Sequence, residues 1–477
     1  MEEKIQTFRL ITNNFFTRSL LKSISSYCEK DEKNRLEVGL ELYSGIRNDA
    51  CLKCKIAEKF LNLILKIGRN AFNVSEEEMK RTFADTYWRR GLSSVVKGLG
   101  LFGVTKPFTP GAPFQVVWEI TSACNLKCKH CSANAGVGSN ELNTEEALKA
   151  IDELDKFGIT ILAFSGGEPL IRKDFLKLAK YAADKGIYVA VATNATLITR
   201  EKAKEMKEAG IEYVQISLDG ATPETHDSFR GAPGTFNRTI EGIKNVVAED
   251  FFVNVSTTVT KLNYREVPKI LDLCEKLGVD WFMAYNFIPT GRGVNIAELD
   301  LTPEEREELL KMLYERMQKS NVTMLSTAPQ FARVSLEASC QSEALILSHF
   351  YSAKSREKIK GLAEFIGGCG AGRFYIAIKP DGTIQPCVFL PLVLGNIKND
   401  NLEELWVTSK ILKDLRNKDI LKGHCGICEY RYYCGGCRAR AYGYFNDYLA
   451  PDPGCINNKA FYTMLKKGIE LASVVSR

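Results

Sequence analysis

Apolar residues fall into two rhythms along the chain. Up to about residue 110 they come in pairs and clusters without strand-like alternation, as at Phe8-Arg9-Leu10-Ile11, Phe15-Phe16 and Leu20-Leu21. The clearest stretch, Ile56 to Leu65, repeats apolar positions at helical spacing, so residues 1–110 are expected to be a helical region. Pro107, Pro110, Gly111 and Pro113 then break the pattern and mark a boundary. Beyond it, apolar runs at Phe114–Ile120, Ile159–Phe164, Tyr188–Ala192, Tyr213–Leu218, Phe252–Val259 and Trp281–Phe287 read as strands. Amphipathic stretches at Thr144–Phe157, Phe175–Lys185, Arg200–Ala209, Thr235–Val247 and Val267–Leu277 separate them. Strands joined by helical crossovers imply an α/β fold with a parallel sheet, doubly wound or a partial barrel, over 111–300. Thr302-Pro303 opens a further helix as N-cap and first turn, within a helical linker at 301–365. Residues 366–460 are rich in Gly and Cys and short of long periodic helices, the texture of a small domain held by metal, and 461–477 reads as a C-terminal helix.

Composition narrows the class. With 477 residues, 45% apolar and 26% charged, the chain is an ordinary globular protein of several domains, not a disordered or fibrous one. Residues 1–110 carry 19 Lys and Arg against 13 Asp and Glu, so the whole surplus of +6 sits there and the remainder balances. That is too little for a nucleic-acid partner. No run reaches the ~18 apolar residues of a membrane span. Met1-Glu2-Glu3-Lys4 is no signal-peptide start, so a cytoplasmic location is expected. Fifteen cysteines beside four histidines then point to iron–sulfur chemistry more than to disulfides or His-based zinc sites.

The first cysteine group is Cys124-x3-Cys128-x2-Cys131, on the loop after the first strand, where parallel β/α folds carry their chemistry. Three thiolates can hold three irons of a cubane and leave the fourth open; a zinc site lacking one Cys is the plainer alternative. The triplet resembles the signature of the radical S-adenosylmethionine superfamily. That resemblance implies a partial (β/α)6 barrel and a [4Fe–4S] cluster on Cys124, Cys128 and Cys131 whose open iron chelates S-adenosylmethionine. In the family the residue before the third Cys is usually aromatic and near the adenine; here it is His130. Ser165-Gly166-Gly167-Glu168-Pro169 resembles the GGEP motif, where glycines allow close backbone approach and polar groups accept from an ammonium. Thr193-Asn194, Ser217, Asp219 and Arg230 resemble positions that meet the ribose, methionine and carboxylate parts of the cofactor.

The C-terminal region adds Cys369, Cys387, Cys425-x2-Cys428, Cys434-x2-Cys437 and Cys455. Spacing alone would also suit zinc. Behind the first triplet the arrangement resembles the SPASM extension. By that resemblance Cys369, Cys387 and Cys437 hold one auxiliary iron–sulfur cluster, and Cys425, Cys428, Cys434 and Cys455 hold another, both expected as [4Fe–4S]. A fourth Cys for the first of these is missing, with Cys340 a distant candidate. The stretch Cys425–Ala441 with Asp452-Pro453-Gly454-Cys455 looks closest to the subgroup serving alternative haem and haem d1 synthesis, and also resembles quinone-cofactor peptide maturases.

The resemblance implies reductive cleavage of S-adenosylmethionine to a 5′-deoxyadenosyl radical that abstracts hydrogen from a larger substrate. The implied substrate is a tetrapyrrole, with a ribosomal peptide or a membrane lipid chain as alternatives. The implied partner is a low-potential electron donor, ferredoxin or flavodoxin. An iron–sulfur electron-transfer or zinc-binding module is the non-enzyme alternative. Residues 1–110 read as a helical cap over the barrel mouth, or else as a peripheral membrane contact. Cys28, Cys51, Cys54 and Cys274 are left over. Cys51-x2-Cys54, with no partner pair nearby in sequence, reads as two buried or unpaired thiols.

Overall fold

The computed structural model describes residues 12–72, 75–338, 346–348, 351–353 and 367–466. Phe8–Ile11, Cys340 and the chain beyond 466 lie outside them. The first region folds as α1 (Phe15–Ile24), a hairpin of β1 (Tyr27–Cys28) and β2 (Lys33–Asn34), α2 (Arg35–Ser44), α3 (Leu52–Phe72), α4 (Glu76–Ala84) and α5 (Thr86–Phe102). Its own core joins Leu21, Leu36, Leu40, Ala57, Leu61 and Phe83. The helices match the apolar spacing. The hairpin does not follow from it, because two-residue strands carry no periodic signal. Arg90 of α5 ties this region to the sheet domain. Buried, it faces Glu37 of α2 at 3.8 Å, pairs with Asp155 and donates to the Ile159 carbonyl at 3.0 Å.

The sheet domain alternates β3 (Gln115–Thr121), α6 (Thr144–Phe157), β4 (Ile161–Gly166), α7 (Phe175–Asp184), β5 (Tyr188–Thr193), α8 (Arg200–Glu208) and β6 (Ile211–Ser217). It continues through α9 (Pro223–Arg230), α10 (Thr235–Ala248), β7 (Phe252–Val259), α11 (Val267–Leu277) and β8 (Trp281–Asn286). α6 begins in a capping box between Asn143 and Glu146 and ends at left-handed Gly158. The six expected strands pair in parallel in chain order, their apolar faces buried against the helices through residues such as Trp118, Leu162, Val191 and Val255.

Two additions were not legible as strands. The stretch expected as a helical linker contains α12 (Pro303–Met317), β9 (Thr323–Ser326) and α13 (Gln330–Ala338), and β9 extends the sheet beside β8. Thr302 does cap α12, in a capping box with Glu305. After a small hairpin of β10 (Ile346–Ser348) and β11 (Tyr351–Ala353), the C-terminal region supplies β12 (Tyr375–Ile378), β13 (Thr383–Gln385) and β14 (Gly395–Asn396). β12 pairs in parallel with β3 at the other edge, giving the order β14-β13-β12-β3-β4-β5-β6-β7-β8-β9. The remaining helices are α14 (Leu402–Thr408), α15 (Lys410–Arg416), α16 (Gly423–Ile427), α17 (Arg438–Phe445) and α18 (Lys459–Lys466). Trp406 of α14 is buried, donates to the Pro110 carbonyl at 3.0 Å and meets the Phe157 ring edge-on.

A buried ionic network locks the C-terminal region to the sheet domain. Arg306 of α12 pairs with Asp300 at 2.7 Å, and Arg440 of α17 pairs with the same Asp300 and faces Asp452 at 3.4 Å. Both arginines donate to the Asn286 side-chain oxygen, at 2.9 and 2.8 Å, and Tyr444 donates to Asp300 at 2.7 Å. Asp300→Asn would leave two buried guanidiniums sharing one remaining acid. Breaking such a network costs about 3–5 kcal/mol. The expected outcome is a lowered urea midpoint at unchanged slope; a loss under about 1 kcal/mol would show that the network does not hold the two halves together.

Candidate active site

The C-terminal ends of β3 to β6 converge on the Cys124–Cys131 loop. Thr121, at the end of β3, and Ser122 bind the Glu141 carboxylate at 2.8 Å each, and Cys124 and Gly136 close the loop through backbone bonds at 2.9 and 2.8 Å. Each thiol receives one donor. Leu126 N–H points at Cys124 Sγ at 3.4 Å, Ala135 N–H at Cys131 Sγ at 3.4 Å, and the Arg230 guanidinium at Cys128 Sγ at 3.7 Å. Burial pushes the Cys124 thiol up to about 11 and the Cys128 thiol also upward. Three sulfurs on one loop, each facing a polar donor that can stabilise a thiolate, form a ligand set for a metal centre. The donor set thus fits an iron–sulfur cluster.

Gly166 and Gly167 admit the cysteine loop against the end of β4. A Cβ on Gly166, which has φ +128°, would stand 2.3 Å from the Thr121 carbonyl oxygen, and one on Gly167 would stand 1.9 Å from that of Ala123. Backbone bonds from Gly167 to Thr121 (2.7 Å) and from Glu168 to Ala123 (2.8 Å) fill that contact. Glu168 is fully buried and accepts from the Thr193 hydroxyl at 2.8 Å, Asn194 N–H at 2.8 Å and Leu170 N–H at 3.2 Å. Burial outweighs these bonds and holds its carboxyl above the usual range. A carboxylate offers roughly four lone-pair positions, so one acceptor position stays open. Asn194 bonds Asn125 at 2.9 Å, joining the end of β5 to the cysteine loop.

Asp219 is a hub. Fully buried past the end of β6, it accepts from Thr258 N–H at 2.8 Å and pairs with Arg230 at 2.6 Å. Its backbone N–H donates to His226 Nδ1 at 3.1 Å. His130 Nε2 lies 3.4 Å from the same carboxylate, its ring stacked on Phe229 with centroids 4.2 Å apart. Burial drives Asp219 up, but Arg230 and the imidazoles bring it below the usual range; burial drives His130 down to about 4. Ser217 lies on the same side of β6 as Gln215, half-buried. Sequence reasoning missed Arg292, which follows β8 and donates to the carbonyls of Cys128 (2.9 Å) and Ala135 (2.6 Å). No local spacing links it to a loop so far upstream.

Two further cavities divide the C-terminal cysteines. One is lined by Cys369, Cys387 and Cys437, with Tyr375, whose hydroxyl contacts Cys387 Sγ, and Thr327. No fourth cysteine lines it among the described residues. The other is lined by Cys425, Cys428, Cys434 and Cys455, with Arg333 and Asn458. Asn458 donates to Cys425 Sγ at 3.4 Å and Gly436 N–H to Cys434 Sγ at 3.4 Å. Asp452 sets both groups. Its Oδ2 accepts Cys437 N–H at 2.7 Å, and its Oδ1 accepts Gly454 N–H at 2.9 Å, one residue before Cys455. No disulfide joins any of the fourteen described cysteines.

Comparison with known proteins agrees with this geometry. Residues 118–274 match the Radical SAM superfamily model, and residues 369–437 match the SPASM model, an iron–sulfur cluster-binding domain. The chain is similar to the AdoMet-dependent heme synthase of Methanosarcina barkeri, with 38% identity covering 72% of this chain and 97% of that protein. It is similar to the pre-heme d1 synthase of Dinoroseobacter shibae, with 30% identity covering 71% and 85%. The Streptococcus suis SuiB structure bound to precursor peptide SuiA shares the fold, with TM-score 0.61 and 16% identity over 87% of this chain and 95% of that one. The chain belongs to the radical SAM superfamily and is a SPASM-type enzyme of that superfamily, whose cofactors are a [4Fe–4S] cluster, S-adenosylmethionine and auxiliary iron–sulfur clusters.

Proposed function

We propose that this enzyme acts on a tetrapyrrole haem precursor, removing hydrogen from an unactivated C–H bond. The observation that carries this reading is the similarity to an AdoMet-dependent heme synthase over nearly the whole length of that relative. Cys124, Cys128 and Cys131 hold the catalytic cluster, Cys369, Cys387 and Cys437 one auxiliary cluster, and Cys425, Cys428, Cys434 and Cys455 the other. The chemistry supplied there, once loaded, is one-electron cleavage of the sulfonium to a 5′-deoxyadenosyl radical. The chain's own residues position and shield it. Glu168 offers its remaining acceptor position to the cofactor's ammonium, beside Gly166 and Gly167. Thr193 and Asn194 orient Glu168; Asp219, Arg230 and His130 hold the cysteine loop; Ser217 faces the cofactor's ribose or methionine part. A low-potential ferredoxin or flavodoxin delivers the electron.

No described helix is long and apolar enough to cross a membrane. Phe15 and Phe16, 79% and 80% exposed on α1, support a peripheral membrane contact as a secondary role of the basic first region. Flotation of the full chain with anionic vesicles at low salt should then fall when both are changed to Ser; equal flotation of variant and parent removes that role.

Anaerobically reconstituted protein, reductant and S-adenosylmethionine should release 5′-deoxyadenosine faster when iron-porphyrin haem precursors are added, with loss of substrate mass. Stimulation by peptides and by no tetrapyrrole would transfer the reading to peptide maturation. The triple change of Cys124, Cys128 and Cys131 to Ala should abolish cleavage and remove one cluster's share of iron. Glu168→Gln removes a charged acceptor valued at about 1.5–3 kcal/mol, so S-adenosylmethionine binding should weaken roughly ten- to hundredfold. Unchanged binding would remove Glu168 from the cofactor site.

A further inference from the structure

Outside both iron–sulfur regions, the first region gathers a compact set of metal-ligating side chains. Sequence left Cys51 and Cys54 without a partner pair, but the β1–β2 hairpin supplies one. Cys28 closes β1, and Asp31 lies in the turn that leads to β2. Cys28-x2-Asp31 therefore faces Cys51-x2-Cys54 at the start of α3, across two separate elements. The four ligand atoms all lie within 4.8 Å of one another, and no other group of three or more His, Cys, Asp or Glu is so compact among the described residues. Cys28 Sγ is 3.5 Å from Cys51 Sγ and 3.5 Å from Asp31 Oδ2.

These distances select a nuclearity. With Zn–S near 2.3 Å and Zn–O near 2.0–2.2 Å, tetrahedral angles put neighbouring ligand atoms about 3.5–3.8 Å apart. A cubane spreads its cysteines over different irons, so four ligand atoms this close suit one ion. Burial agrees with a closed structural site, since Cys28 is 5% and Cys54 0% exposed, with Val38 packed against both. The frame is set in advance. Cys51 N–H donates to both Asp31 oxygens, at 3.2 and 3.4 Å, and the Cys51 carbonyl accepts the Cys54 and Lys55 N–H groups at 3.0 Å each. Asn34 caps α2 through Leu36 N–H at 2.9 Å and donates to the Ser25 carbonyl at 2.6 Å, fixing the hairpin. Arg47 lies 3.5 Å from Asp31 and offsets part of the charge of three thiolates and a carboxylate.

We propose that Cys28, Asp31, Cys51 and Cys54 bind one structural zinc ion that staples the β1–β2 hairpin to the start of α3. Soft thiolates with a closed tetrahedral set favour zinc over magnesium, calcium or manganese. Its function is to hold the hairpin and the start of α3 together within the first region, independently of the iron–sulfur chemistry.

The test is metal analysis of the full-length holoenzyme, purified anaerobically from zinc-supplemented cells. About one zinc per chain is expected beside the cluster iron, with zinc-edge X-ray absorption giving three sulfurs near 2.3 Å and one oxygen near 2.0–2.2 Å. Cys28→Ser/Cys54→Ser should lose zinc and keep its iron, whereas Cys274→Ala, a buried thiol of α11, should keep both. Should the double variant fold poorly, Asp31→Asn keeps all three thiols and should release zinc to a chelator at least roughly tenfold faster. No zinc in the parent protein, zinc retained in the double variant, iron lost in place of zinc, or a Cys28–Cys51 disulfide in the isolated protein would each overturn the assignment.

Discussion

Four buried charges hold the molecule's two halves in one geometry. Arg306 and Arg440 balance Asp300 and Asp452, so the set is neutral, and each charge has hydrogen bonds beyond its ionic partner. A buried network of this kind gains little net stability over apolar packing, but it tolerates poorly any arrangement that leaves a charge without its partner. Asp452 converts that intolerance into placement. It binds Cys437 N–H of one cysteine group and Gly454 N–H beside Cys455 of the other, while Gln330 of α13 donates to it at 2.7 Å. A shift of either half would break the Gln330 bond to Asp452, the residue that holds the backbone at both cysteine groups.

A second hub works the same way on a smaller scale. Asp219 joins the end of β6 to β7 through Thr258, to α9 through Arg230, and to the cysteine loop through His130. Arg230 continues to Cys128 Sγ. Residues that sequence motifs suggest for ligand contact are thus largely engaged with protein. That does not deprive them of a role. A loop of three thiols needs its backbone fixed before it can present them, and no helix or sheet ladder does that for residues 124–131.

The legible parts of the sequence were those with a local period. Thr144–Phe157, Phe252–Val259 and Val267–Leu277 appear with the bounds their apolar spacing predicts, and Thr302 caps its helix as its chemistry requires. The cysteine spacings were equally local. What escaped was long-range. β9 is four residues long, and β12 joins β3 from 260 positions downstream. Arg292 reaches Cys128 across 164 positions, and Cys51 meets Cys28 only because a turn with no apolar pattern brings Asp31 and Cys28 to the start of α3. Each depends on which backbone donors and carbonyls face one another after folding, and that is not written in the spacing of nearby residues.

The cavity lined by Cys369, Cys387 and Cys437 also explains how an open sheet encloses an interior. In strand order β8 and β9 stand at one edge and β12 to β14 at the other, so a flat sheet would hold them far apart. Yet Ile288, Ser326 and Thr327 from the first edge line the same cavity as Tyr375, Cys387 and Phe389 from the second. The sheet must therefore curl until its edges face each other, and the Cys369–Cys387–Cys437 group fills the seam. Contacts carry the seam into the interior. Phe389 meets the Tyr285 ring with centroids 6.3 Å apart, and Tyr285 donates to Gln215 of β6 at 3.2 Å, on the face that ends at Ser217. The seam cysteines thus form part of the wall of the same interior whose mouth holds Cys124, Cys128 and Cys131. That arrangement requires the edges of the sheet not to pair.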